Sequence, residues 1–224
     1  MNKYKKLAFN TMIFAIGGFG SKILALLLTR LYTNNIGSSD SSTKELLEIT
    51  ANFLLPIFTF SMAEAVIRFG LDNKYKKEEV FSTAFCLNGV GMVLMLIIGP
   101  MLKFISFLDF IDGYTILLLC FVLCSSLRSL CSQFVRARGM VKLYSLDGIL
   151  ATLSLFVFNI VFISNFHWGV KGFMLASILA DLCSAIFLFI VAKLDEFFKD
   201  SPCTAMLIFS GETDKLPEDV KKFI

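Results

Sequence analysis

The chain of 224 residues is 56% hydrophobic, contains 25 Phe and has a formal net charge of +3. Its mean hydropathy of +0.75 lies outside the range of ordinary soluble domains. So small a net charge gives no indication of nucleic-acid binding. With one His and no recognisable arrangement of nucleophile and base, the chain has little means for acid–base catalysis. The composition therefore favours a membrane protein and argues against an enzyme.

Six apolar segments are each long enough to cross a bilayer as a helix. Open strands are excluded there because lipid cannot satisfy their backbone polar groups. The sequence therefore predicts an all-α membrane domain at 1–193, followed by a cytoplasmic tail of unknown role at 194–224. The six predicted spans cover 7–31, 49–67, 81–102, 114–135, 148–166 and 172–192.

Lys and Arg residues concentrate in alternate connections between these segments. The other connections contain only Lys44, Lys103 and Lys171. One of them, at 33–48, is expected to be an outer loop with little fixed structure. By the positive-inside rule, the cation-rich side is cytoplasmic, so both termini are expected in the cytoplasm. The ten cations on the cation-rich side are Lys3, Lys5, Lys6, Arg68, Lys74, Lys76, Lys77, Arg136, Arg138 and Lys142.

Charged residues inside the predicted spans are the candidates for function. A charge at mid-bilayer costs about 3 kcal/mol on insertion scales, so each should be paired, hydrated or useful. Lys22 lies on a stripe of small and polar residues, which either lines a wet cavity or packs tightly against another helix. Glu64 and Arg68 stand four residues apart, in the order that favours an ion pair. Pro56 in the same span predicts a kink.

Two further charges occupy the fourth and sixth predicted spans. Arg128 lies near the end of its span, where it either faces a cavity or extends to the headgroups. Asp181 lies nearer mid-depth, and we expect it to pair with Lys22 until a substrate phosphate competes for that cation. The interior balance leans cationic, which favours an anionic passenger. The predicted substrate-binding residues are Lys22, Arg128, Asp181, Glu64 and Arg68.

No metal site or cofactor is expected. Cys120, Cys124 and Cys131 align on one helix side, but His167 lies in a predicted outer loop, so these ligands do not converge. The glycine-rich run at 17–22 lacks the spacing and the preceding strand of a nucleotide-binding loop.

Three stretches of the sequence carry a family likeness: the basic start at 2–6, Asn-Thr-Met-Ile-Phe-Ala-Ile-Gly at 10–17 leading to Gly-Ser-Lys at 20–22, and Leu-Pro-Ile at 55–57 followed by Ala-Glu-Ala-Val-Ile-Arg-Phe at 63–69. With these, the chain resembles the polysaccharide transporter family over roughly residues 1–193. That family comprises the lipid-linked oligosaccharide flippases of the multidrug/oligosaccharidyl-lipid/polysaccharide exporter superfamily. The resemblance implies one lobe of a two-lobed flippase of a bacterial inner membrane, which moves undecaprenyl-pyrophosphate-linked sugars for lipopolysaccharide or capsule biosynthesis.

Members of that family have twelve or fourteen spans in two lobes, whereas six are predicted here. The chain is therefore expected to act as a parallel homodimer or to be a truncated half. Two alternatives remain at this stage. One is an exporter of drugs or organic ions that depends on Glu64 and Asp181, and the other is a non-transporting membrane subunit of a glycan-assembly complex.

Overall fold

A computed structural model describes residues 3–72, 76–99 and 113–194 of the chain. Within these ranges every regular element is helical. The helices are α1 (Lys3–Asn35), α2 (Ser38–Phe58), α3 (Met62–Gly70), α4 (Lys77–Ile98), α5 (Thr115–Ala137), α6 (Val141–Asn159) and α7 (Gly169–Val191), and α6 continues into a π-helical turn at Ile160–Asn165. The prediction of an all-α fold is confirmed.

Several of these helices suit a multi-pass membrane protein. In the described part of the chain, α4, α5, α7 and α6 with its π-helical turn are long and apolar enough to cross a membrane, and α2 with α3 makes a fifth span if the bent pair counts as one. The predicted number of six spans is not established. The first predicted span, 7–31, lies within α1, where many side chains fall outside the description, as do residues 100–102 of the third span and 195–224 of the tail.

If α2 and α3 are counted as one bent element, successive helices alternate in direction, so their ends meet in two groups. At one end, which we call the basic end, a Cβ built on Gly70 would lie 2.8 Å from the Cβ of Ala137, and Arg138 Nη1 donates to the Ala192 carbonyl at 2.8 Å. At the opposite end, the rings of Tyr32 and Phe173 meet edge to face with centroids 5.6 Å apart. The ends of α3, α5 and α7 thus share one end of the bundle.

Buried apolar side chains form two clusters along the bundle. One cluster lies toward the opposite end and includes Leu118 of α5 and Met174 of α7. The other lies toward the basic end and includes Phe134 of α5, whose ring stacks on Phe81 at 4.3 Å, and Leu188 of α7. On α5 and α7 the residues between the two clusters include the charged and hydroxyl side chains described below.

The connection at 33–48 is helical, so the prediction of a loop with little fixed structure there is wrong. Helix α1 continues to Asn35 and α2 begins at Ser38, which leaves only Ile36 and Gly37 between them. The polar run that suggested a loop forms the first turns of α2, where Ser and Asp are favoured because they complement free backbone N–H groups and the helix dipole.

The predicted kink near Pro56 is confirmed as a complete break. Helix α2 ends at Phe58, the axes of α2 and α3 differ by 55°, and both Phe60 and Ser61 have a φ of 50°. Pro56 lacks an N–H, so the helix loses a backbone hydrogen bond one turn before the break. A Cβ on Gly91 of α4 would lie 1.6 Å from the Phe58 carbonyl oxygen, so only glycine permits this close approach.

Candidate functional site

A guanidinium group on α5 and a carboxylate on α7 form the centre of the polar layer. Arg128 Nη1 lies 3.2 Å from Asp181 Oδ1. Ser125, one turn earlier on α5, donates a hydrogen bond to the other oxygen, Asp181 Oδ2. The side chain of Arg128 is 32% exposed and that of Asp181 13%. Both carboxylate oxygens are therefore engaged by α5, while the pair keeps access to a cavity.

A second carboxylate, from α6, approaches the same guanidinium from the interior. Arg128 Nη2 lies 3.9 Å from Asp147 Oδ2, and the side chain of Asp147 is only 1% exposed. Ser184 of α7 accepts a hydrogen bond from Arg128 Nε at 3.0 Å and donates one to Asp147 Oδ1. Ser132 donates to Asp147 Oδ2 at 3.4 Å. Asp147 and Ser184 therefore fix the guanidinium from behind.

Arg128 and Asp181 border a cavity of about 530 Å³ between α1, α2, α5, α6 and α7. Its lining is rich in hydroxyl and charged groups, which include Thr29, Tyr32, Thr33, Ser41, Lys44, Glu45, Glu48, Ser125, Thr152 and Ser177. The cavity reaches from the middle of α5 and α7 to the opposite end of the bundle, where Tyr32 and Phe173 meet. Such a volume holds a small polar group and its water.

Lys44 is the second cation of this cavity. Its ammonium nitrogen lies 3.3 Å from Glu48 Oε2, and its side chain is 12% exposed. The same nitrogen lies over the rings of Tyr32 and Phe173, at 4.6 and 4.7 Å from their centroids. Lys44 therefore lies in a helix and not in the predicted loop, and α2 turns it onto the aromatic pair.

Lys22 does not join this arrangement. The side chain is exposed and does not line the cavity. Ala25 and Thr29, three and seven residues further along α1, do line it. The predicted pair between Lys22 and Asp181 is wrong, since the cation beside Asp181 is Arg128. Arg128 faces the cavity, which decides between the two alternatives that the sequence left open for it.

Glu64 and Arg68 lie apart from this cluster, on α3. Both side chains are exposed, and none of the ion pairs among the described residues joins them. Arg68 instead places its guanidinium 5.8 Å from the centroid of Phe69. Glu64 lines a separate cavity of about 300 Å³ beside the break between α2 and α3.

Formal charges around the larger cavity differ from the sequence expectation. Lys44 and Arg128 contribute two positive charges, whereas Glu45, Glu48 and Asp181 contribute three negative ones. The expected cationic balance is therefore wrong for this cavity. Each of its two cations instead has a carboxylate neighbour within 3.3 Å.

The sequence reasoning missed Asp147 because the fifth predicted span began at Gly148. The structure begins α6 at Val141, which places Asp147 nearly two turns inside the helix. One signal was present in the sequence: Gly139 marks a turn, and a helix that starts directly after it contains Asp147. Which side chains Asp147 meets depends on the packing of α6 against α5 and α7.

Comparisons of the chain with family models, with curated proteins and with solved structures give no match.

Proposed function

We propose that this chain forms a six-helix lobe of a flippase that moves lipid-linked oligosaccharides across a bacterial inner membrane. The bilayer-length helices and the family resemblance at 2–22 and 55–69 support this proposal. The observation that carries it is Arg128, a guanidinium held at the wall of a polar cavity with 32% of its side chain exposed. A partly buried charge with this much access suits a role in binding an anionic group in transit.

The passenger's pyrophosphate would compete with Asp181 for Arg128. Nη1 is the guanidinium nitrogen that contacts Asp181, and it can donate to a phosphate oxygen instead, so a phosphate can replace this carboxylate without leaving the cation unpaired. Asp181 lines the cavity and can turn away, whereas Asp147 is buried behind Arg128. Under this proposal Asp147 and Ser184 keep the guanidinium in place while Asp181 exchanges with the passenger.

Lys44 offers a second exchangeable cation in the same cavity. Its partner Glu48 is 45% exposed, so this pair is the more easily opened of the two. A passenger moving from Arg128 toward the opposite end of the bundle would meet Lys44 between the rings of Tyr32 and Phe173. The two cations would thus bind the pyrophosphate in succession.

Exposed charges on α1 and α3 support a two-lobed assembly. Lys22, Glu64 and Arg68 are exposed within segments that the sequence predicts to span the bilayer. Lipid contact would make such charges costly, so these faces meet water or protein. We propose that they border the space between this lobe and a second one, supplied by a second copy in the same orientation or by additional chain. Lys22 remains a candidate for passenger binding on that face.

Proteoliposomes test the proposal directly. The full chain should accelerate the transbilayer movement of a fluorescent undecaprenyl-pyrophosphate glycan relative to protein-free liposomes. Arg128→Gln should lower the rate by about tenfold or more, as expected for the loss of one charge-assisted contact. Lys76→Gln, at a side chain that is 79% exposed at the basic end, is the matched control and should leave the rate unchanged.

Lys22→Gln should also lower the rate if its face borders the passenger's path, and an unchanged rate at normal abundance would remove Lys22 from the site. No glycan movement by folded wild-type protein would overturn the flippase proposal for the chain alone. It would favour the alternative of a non-transporting subunit of a glycan-assembly complex.

The acidic excess of the larger cavity favours one second candidate, an exporter of organic cations. Such an exporter would depend on the carboxylates of this cavity, above all Asp181, and would tolerate the loss of Arg128. The two candidates therefore predict opposite rankings of Arg128→Gln and Asp181→Asn in transport. Measurement of glycan and organic-cation movement in the same two variants separates them.

A further inference from the structure

The smaller cavity, beside the break between α2 and α3, has its own polar lining. It measures about 300 Å³ and is bordered by Asn52, Thr59, Glu64, Asn88 and Ser126. None of these residues takes part in the cluster around Arg128. The cavity therefore forms a second polar site, assembled from the broken helix on one side and from α4 and α5 on the other.

Asn88 presents an unpaired oxygen in this cavity. The residue is 1% exposed, and its Oδ1 atom has no hydrogen-bond partner among the described residues. Its Nδ2 atom donates to Ser126 Oγ at 3.4 Å. Ser126 Oγ itself donates to the Leu123 carbonyl at 2.8 Å, so its hydrogen is already used and the amide must turn Nδ2 toward it. A buried carbonyl oxygen left in this state calls for a bound donor or cation.

The broken helix adds further oxygen atoms. Pro56 lacks an N–H, so the Asn52 carbonyl loses its regular partner nearly two turns before the end of α2. The end of α2 also carries the negative end of the helix dipole, although the Leu55 and Pro56 carbonyls already accept hydrogen bonds from the Thr59 and Ser61 N–H groups. Broken helices in membrane proteins use such ends to coordinate small cations. Glu64, in the first turn of α3, adds a carboxylate to the same cavity.

From these groups we infer a binding site for a monovalent alkali cation between Glu64 and Asn88, at the break between α2 and α3. The donors are hard oxygen atoms, which suit alkali and alkaline-earth ions. Glu64 is exposed at the edge of the cavity, whereas Asn88 is buried. One carboxylate neutralises one monovalent charge, whereas a divalent ion would retain a net positive charge beside the buried amide. This inference does not depend on which passenger the protein carries.

Occupancy would connect two elements across the break. Glu64 belongs to α3 and Asn88 to α4, so a shared cation holds α3 against α4 and restricts the angle at residues 59–61. Binding that is specific to the folded state raises the stability of that state with ligand concentration. Cation-dependent stability is therefore the direct readout, and it requires no transport assay.

Thermal unfolding of the purified full chain in detergent, in NaCl, KCl and choline chloride at equal ionic strength, tests the site. We expect the midpoint to rise with the concentration of Na⁺ or K⁺ relative to choline. Glu64→Gln should abolish this dependence, and Glu78→Gln, in the first turn of α4, is the matched control that should retain it. Equal midpoints in all three salts, or an undiminished shift in Glu64→Gln, would overturn the inference.

Asn88 provides a second test, which compares how the unfolding midpoint of each variant depends on salt and not the midpoint itself. Asn88→Asp keeps the shape of the side chain and adds a negative charge, so it should move the cation-dependent shift to lower salt concentrations. Asn88→Ala should remove most of the shift. If a water molecule alone satisfies Asn88 Oδ1, neither variant changes the salt dependence, and the inference fails.

Discussion

Arg128 shows how one side chain can be both buried in a network and available to a ligand. Its Nε and Nη2 atoms face Ser184 and Asp147 in the interior, while Nη1 faces Asp181 at the cavity wall. Two carboxylates around one guanidinium leave a formal excess of negative charge when all three are ionised. The arrangement therefore depends on Arg128, because without it Asp147 is a buried carboxylate with only hydroxyl partners.

This dependence predicts a non-additive effect on stability. Arg128→Gln should destabilise the purified protein by about 3 kcal/mol, since it leaves a buried carboxylate without its counter-charge. Adding Asp147→Asn should recover part of that loss, because the uncompensated charge is removed with it. Thermal and denaturant unfolding in one detergent measure both variants, with Lys76→Gln as the control that should change little. A double variant no more stable than Arg128→Gln would contradict the proposed coupling.

The break between α2 and α3 is the element that departs most from a simple spanning helix. Pro56 weakens the helix, and Phe60 and Ser61 adopt left-handed backbone angles that residues other than glycine rarely take. The close approach of Gly91 to the Phe58 carbonyl holds the bend against α4. The break therefore results from local sequence and from tertiary contact together.

A pair of glycines on α4 tests this packing. Gly91→Ala should destabilise the protein by about 1–3 kcal/mol, because its Cβ would collide with the Phe58 carbonyl and force a backbone shift. Gly89→Ala is the matched control, since nothing lies within 4 Å of its added Cβ, and it should be neutral or slightly stabilising. Unfolding midpoints of the two variants provide the comparison. Equal midpoints would show that the contact with Phe58 is not rigid.

At the scale of the whole molecule, charge is distributed unevenly between the two ends of the bundle. Three arginines lie at the basic end, near Gly70 and Ala137. Arg68 lies in the last turn of α3, Arg136 lies in the last turn of α5, and Arg138 directly follows α5. The opposite end instead has the aromatic groups around Trp168, whose ring lies 5.5 Å from that of Phe162. This asymmetry is the form that the positive-inside rule associates with a cytoplasmic basic end.

Cysteine labelling tests the orientation. In a cysteine-free background, His167→Cys should react with a membrane-impermeant maleimide in intact spheroplasts, because His167 is exposed at the opposite end. Lys142→Cys, near the basic end, should react only after permeabilisation. The reverse pattern would place the termini outside and overturn the proposed topology.

Some features followed directly from local sequence. Apolar segment length predicted helices near 81–102, 114–135, 148–166 and 172–192, because lipid requires about 20 apolar residues for each span. Pro56 predicted a kink because proline removes a backbone hydrogen bond whatever the helix packs against. The polar start of α2 was misinterpreted because Ser, Asn and Asp serve loops and helix N-termini alike.

The candidate site was predicted only in part. Charge inside an apolar segment identified Arg128 and Asp181, because such residues are costly in lipid whatever their partners. The sequence did not identify Asp147 or reject the pair between Lys22 and Asp181. Residues separated by 53 positions, such as Arg128 and Asp181, meet only when helices pack.

The sequence by itself thus determined an all-α fold with several bilayer-length helices, since hydrophobicity and backbone hydrogen bonding act along each segment independently. Only the tertiary structure decided which charges face one another, that Arg128 is shared between Asp147 and Asp181, and that Lys44 packs over Tyr32 and Phe173. The physical reason is that pairing depends on the rotation and relative height of neighbouring helices, and the packing of side chains between them fixes both.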